Sequence, residues 1–130
     1  MEPFKTTIIP TLSLRRGTEA IAFYIKAFGA TECMRMEGAD GSVVAEMDIA
    51  GARFFLADEA PEYGNYSPET LGGISVRMGL MVSNPDTLVD NAVAAGATLV
   101  AAVADQDYGY RLGRIIDPFG HHWEIAKKLD

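Results

Sequence analysis

The chain has 130 residues, a formal net charge of −7, 48% hydrophobic residues and one cysteine. That length suits one domain, and the apolar fraction is too high for a disordered chain. The acidity argues against nonspecific nucleic-acid binding, because a phosphate backbone repels it. The single thiol, Cys33, excludes an internal disulfide and a cysteine-based zinc site. No apolar run approaches the ~20 residues that span a bilayer. The opening MEPFKTTIIP lacks a signal peptide's basic segment, long apolar stretch and cleavage site. The expectation is a cytoplasmic protein without a membrane partner.

Ile8 to Leu14 predicts a strand, ended by the turn Arg15-Arg16-Gly17. Thr18 is the expected N-cap of a helix, with Glu19 suited to the positive end of its dipole. Ala20, Phe23, Tyr24 and Ala27 recur at helical spacing, and Gly29 supplies the stop. Three strands follow, Thr31–Met36, Val43–Ile49 and Arg53–Ala57, separated by glycine turns. Cys33 falls in the first of these and is expected to be a buried small hydrophobe. Residues 58–73, DEAPEYGNYSPETLGG, predict a long loop.

The plan then repeats. Ser75–Val82 is a strand, and Asn84-Pro85 opens a helix that runs to Gly96, with proline in its first turn. Leu99–Val103 is a strand, DQDYGYRLG a loop, and Arg114–Ile116 and His122–Ala126 are closing strands. FGAT ending at Thr31 returns as AGAT ending at Thr98, 67 positions on. Gly51–Ala57 returns as Gly120–Ala126, 69 positions on. Each half is thus βαβββ, over residues 7–58 and 74–127, with a joining loop at 59–73. The expected fold is α+β: two tandem βαβββ units forming a curved eight-stranded mixed sheet around a shared cleft, helices outside.

That doubled plan resembles the vicinal oxygen chelate superfamily, which includes glyoxalase I, bleomycin-resistance proteins and extradiol dioxygenases. The segments IPTLSL, AIAFYIKAFGA, FFLADEAPE, SPETLGG and GYRLGRIIDPFGHHWEIA, in that order, are similar to its PhnB-like branch. Tyr108 stands where that pattern expects tryptophan. The resemblance implies a homodimer and, in glyoxalase-like members, a divalent metal held by four side chains. One ligand comes from the first strand and one from the last strand of each half.

The repeat places those positions at Pro10 and Arg77 on the first strands, and at Phe55 and Glu124 on the last. Proline and phenylalanine offer no donor and arginine repels a cation, so no metal and no cofactor are expected. His122 shares a strand face with Glu124. Together with Asp58 or Glu46 the two form an alternative, unorthodox ligand set. Arg77 and Glu124 are expected to pair or to receive a ligand in the cleft, with Tyr108, Tyr110 and Arg111 at its rim. His121 is expected to hydrogen-bond the loop that opens with Asp117-Pro118.

The reading is a glyoxalase/bleomycin-resistance-like protein that binds an unidentified small organic molecule without a metal. Two alternatives stand beside it. One is a metal-dependent lyase, isomerase or dioxygenase. The other is a resistance protein that sequesters a cationic drug. No serine carries the flanking signature of a catalytic nucleophile.

Overall fold

A computed structural model describes residues 4–130. In chain order the elements are β1 (Thr11–Leu14), α1 (Gly17–Phe28), β2 (Thr31–Glu37), β3 (Val43–Ile49), β4 (Ala52–Asp58), a 3-10 turn (Pro61–Tyr63), α2 (Pro68–Leu71), β5 (Met78–Met81), α3 (Pro85–Ala94), β6 (Thr98–Asp105), β7 (Tyr110–Ile116) and β8 (His122–Lys128). This is the βαβββ plan written twice. Three strands differ most from expectation. β1 and β5 start three residues later than predicted, and β7 starts four residues earlier.

The strands form two four-stranded sheets, ordered β1-β4-β3-β2 and β5-β8-β7-β6. In each, the crossover through the long helix lays the first strand parallel to the last, and the remaining pairs are antiparallel. The eight expected strands are therefore present as two open sheets, not one continuous sheet.

Period-two burial decides which face looks inward. On β3, Val43, Ala45, Met47 and Ile49 are buried while Val44 is exposed. Leu12, Leu14, Phe54 and Leu56 in the first sheet, and Leu80, Ile115, Trp123 and Ile125 in the second, belong to one hydrophobic cluster with both long helices. Helices α1 and α3 pack on each other. Aromatic rings join the halves: Trp123 lies 4.9 Å from Phe28, 5.6 Å from Tyr24 and 5.6 Å from Phe54. Both inner faces thus serve one core, and the opposite, open faces point away from it. Within one chain the open faces do not close on each other.

Two carboxylates fix this arrangement. Asp58 accepts from Gly17 N at 2.8 Å and from Val43 N at 2.8 Å. It supplies from the end of β4 the N-terminal acceptor expected of Thr18. The helix begins at Gly17, and its cap residue Arg16 is left-handed with φ 62° and no side-chain cap bond. Asp117, 3% exposed, accepts from Tyr24 Oη at 2.5 Å, Trp123 Nε1 at 2.9 Å, Phe119 N at 2.9 Å and His121 N at 3.0 Å. Burying a carboxylate is costly unless its lone pairs are filled, and here four donors fill them.

Cys33 is exposed, not buried. The β2–β3 register shifts between Glu32 and Met34, so Cys33 sits at a bulge with no partner residue. The joining segment is fastened rather than loose. Glu59 accepts from Ser67 N at 2.8 Å, Thr70 Oγ1 at 2.8 Å and Arg15 Nε at 3.1 Å, and Arg16 pairs with Glu69 at 3.1 Å.

Candidate functional site

The open face of the second sheet gathers polar chemistry. Strand order β5-β8-β7 sets three columns side by side. Arg77, Gly79 and Met81 lie on or just before β5. His122, Glu124 and Ala126 lie on β8. Tyr110, Leu112 and Arg114 lie on β7. Register puts Gly79 and Arg114 on either side of Glu124. A hollow of about 280 Å³ opens there, lined by Gly79, Met81, Tyr108, Tyr110, Leu112, Glu124 and Ala126. Gly79 keeps its floor open, since a Cβ added there meets nothing within 4 Å.

Arg77 Nε donates to Glu124 Oε1 at 2.5 Å. The pair is half in water, with side-chain exposures of 54% and 27%. The Arg77 guanidinium is held above its ordinary value by the Glu124 carboxylate. Beside it, Arg114 donates from Nε and Nη2 to one atom, His122 Nδ1, at 3.2 and 2.7 Å. An imidazole nitrogen that accepts carries no proton, so His122 is neutral and protonated on Nε2. Its pKa lies below the ordinary value, because burial disfavours the cation and Arg114 repels it. Tyr108 and Tyr110 stand at the rim with ring centroids 6.2 Å apart.

Other sequence candidates lie elsewhere. Phe55 is on the open face of the first sheet and does not line the hollow. Arg111, expected at the rim, points to the helix side of β7. Its fork is filled by Asp86, at 2.8 and 2.7 Å, and by Asp105 at 3.0 Å. Adjacent strand residues face opposite ways, so Tyr110 at the rim places Arg111 behind the sheet. His121 turns from the Asp117 loop toward the first half. Its Nε2 donates to Ser13 O at 2.8 Å, while its backbone N meets Asp117.

The strand ladders also correct the first-strand equivalence. Phe55 faces Thr11 and Glu124 faces Gly79, so the repeat shift there is 68 and Pro10 matches Met78, not Arg77. The corrected quartet, Thr11, Phe55, Gly79 and Glu124, still contains one carboxylate. The alternative set does not assemble either: Asp58 caps α1, and Glu46 pairs with Arg53 at 3.2 Å. Among the described residues no cluster of three or more His, Cys, Asp or Glu could hold a metal ion. The donors present do not fit a four-ligand metal site.

Other hollows exist, two of them largely apolar. One of about 280 Å³ lies between the start of β1 and the joining segment, lined by Pro10, Thr11, Tyr66, Leu71, Val76 and His121. A roomier one of about 530 Å³ lies between Phe28, Ile49 and the start of α3. Neither is lined by an Arg, Lys, Asp or Glu that could orient a polar ligand.

The sequence names Arg77, Glu124 and His122 as candidates, and the structure sets Arg114, not among them, beside them. Arg114 is the first residue of the predicted strand Arg114–Ile116. Its only sequence signal was alternation with Tyr110 and Leu112.

A glyoxalase-like domain model matches residues 11–126, and the chain belongs to that family. An uncharacterised protein of Mycobacterium bovis is 39% identical over 92% of this chain and 82% of its own length. The crystal structure of an Arabidopsis thaliana gene product is 26% identical, covers 95% of this chain and 98% of its own, and has a TM-score of 0.69. TioX from Micromonospora superposes with a TM-score of 0.71 at 23% identity, covering 96% and 98% of the two chains, which shows the shared fold.

Proposed function

We propose that this protein binds a small organic molecule on the open face of the second sheet, without a metal, and works as a cytoplasmic homodimer. The observation that carries this reading is the hollow lined by Glu124, two tyrosines and an open glycine floor, with the Arg77 and Arg114 guanidiniums and a neutral imidazole grouped around Glu124 beside it. Pockets of this kind pair apolar walls with a few placed polar groups. Dimerisation is supported by apolar side chains left open on both outward faces: Met36 and Val44 on the first sheet, Met81 and Tyr108 on the second. A second copy that covers these faces would also roof the hollow. The five ordered sequence segments support the PhnB-like branch within the family.

The test is a ligand screen by thermal shift on wild type and Gly79→Leu. The leucine fills the hollow without a backbone clash, so it should preserve the fold and abolish the shifts. Shifts that survive in Gly79→Leu would move the site elsewhere. Sedimentation should show a dimer, and a stable ~14 kDa monomer at micromolar concentration would refute the assembly.

A further inference from the structure

The chain has seven arginines and 18 acidic residues. Six arginines, at 15, 16, 35, 53, 77 and 111, each contact a carboxylate within 4.0 Å. Arg114 does not, among the described residues. Its neighbour across the ladder is Glu124, yet that carboxylate is taken by Arg77. Arg114 instead spends two donors on neutral His122, and its Nη1 has no hydrogen-bond partner among the described residues. A half-buried guanidinium in a protein of charge −7 is thus held in place by an uncharged acceptor. Its full positive charge remains on the strand next to Glu124, a residue that lines the hollow. Arg77 and Glu124 cancel, so the cluster Arg77, Arg114, His122 and Glu124 carries a net +1.

The other walls are apolar or aromatic: Met81, Leu112, Tyr108 and Tyr110. Tyrosine faces provide flat contact area for a ring. A guanidinium fork matches a carboxylate in geometry and charge.

We propose that the ligand class of this site is a small aromatic monoacid, its carboxylate on the free edge of Arg114 and its ring against Tyr108, Tyr110 and Leu112. The proposal rests on the reading that the hollow is the binding site. It also turns the acidic chain's expected preference around: the global charge favours cations, but Arg114, beside the hollow and without a carboxylate partner among the described residues, selects an anion. Long-range attraction is screened over ~8 Å at physiological salt, so the local guanidinium decides.

The experiment is calorimetric titration at pH 7.5 with three matched probes: 2-naphthoate, 2-naphthamide and 2-naphthylmethylammonium. They are titrated against wild type, Gly79→Leu and Arg114→Met. The expected order is naphthoate tightest. Arg114→Met should lower naphthoate affinity about tenfold or more and leave naphthamide unchanged. Gly79→Leu should remove binding of all three. Equal affinity of acid and amide in wild type, with Gly79→Leu still blocking both, would overturn the anion proposal and leave the hollow standing. Binding indifferent to Gly79→Leu, or no binding by any probe, would overturn both. A rival is that Arg114 pairs with a carboxylate of a second copy. Arg114→Met would then shift the sedimentation profile toward monomer without changing the acid–amide ratio, and that result would also overturn the proposal.

Discussion

Tyr24 on the first helix donates to Asp117 at the final turn, 2.5 Å across 93 residues of sequence. This bond stitches the two βαβββ units at the centre of their common core. Its surroundings are aromatic: Phe23, Phe28, Phe54, Phe119 and Trp123 ring Tyr24. The phenol is pushed well above its ordinary pKa, first by burial and then by the Asp117 charge, so it stays a donor.

Tyr24→Phe keeps the ring and deletes the hydroxyl. Asp117 Oδ2 then retains only the indole N–H. Leaving part of a buried carboxylate unsatisfied costs about 1–3 kcal/mol. Denaturant melts should show that loss with an unchanged slope, and an unchanged midpoint would refute the role assigned to the bond.

The joining segment should respond to acid through Glu59. Ser67 N–H, the Thr70 hydroxyl and Arg15 hold this carboxyl below its ordinary 4.5, at about 2. A depressed carboxyl contributes stability that is present above 4.5 and lost as pH falls toward 2. Limited proteolysis with an acid-active protease should therefore cut near residues 59–73 increasingly over that window. Glu59→Gln should already be cut at pH 5. Equal resistance of wild type and variant at pH 5 would count against the anchor.

His122 works in the opposite chemical sense but with the same direction in pH. Its folded pKa lies below the ordinary 6.5, so the unfolded chain binds the proton more readily. Stability is complete above 6.5, declines as pH drops below that value, and levels off once the folded imidazole also protonates. His122→Gln, which can still accept from Arg114, should flatten this part of the melting-temperature profile. A profile identical to wild type between pH 7 and 5 would show that His122 is not the titrating group.

The Arg77–Glu124 pair is water-exposed enough that its coupling belongs with surface ion pairs. A double-mutant cycle with Arg77→Met and Glu124→Gln should give a small, salt-sensitive coupling in melts. A coupling that persists in 1 M salt would mean that a second copy buries the pair.

Elemental analysis of purified protein should find far less than one divalent ion per chain, and a chelator should leave the melting temperature unchanged. Stoichiometric metal lost on Glu124→Ala would overturn the donor argument.

The order of elements was readable because each carries a strong local signal: helical spacing from Ala20 to Ala27, proline at the start of α3, glycine turns before β3 and β4. Strand β3 even has its predicted bounds. What the local pattern lacks is cross-strand register. The shift of 68 that pairs Thr11 with Phe55 as Gly79 pairs with Glu124 is a property of the ladder, not of either strand. For the same reason Arg111 is expected at the rim and Arg114 is not singled out, while the sheet sends Arg111 to the helix side and Arg114 to the open face beside Glu124. Asp117 looked like a turn residue. Its burial follows from Tyr24 and Trp123, which arrive from distant parts of the chain. Cys33 was misjudged because a bulge is invisible in a run of alternating residues.

The common core sets a limit on how far the chain's internal duplication goes. Each half repeats the other in plan, yet Tyr24, Phe28 and Phe54 from one half and Trp123 and Asp117 from the other complete a single interior. A gene fragment encoding either unit alone would expose that seam to water and leave a carboxylate or a phenol without its mate. The doubling is a ground plan only: the two units differ on their outward faces and are not interchangeable parts.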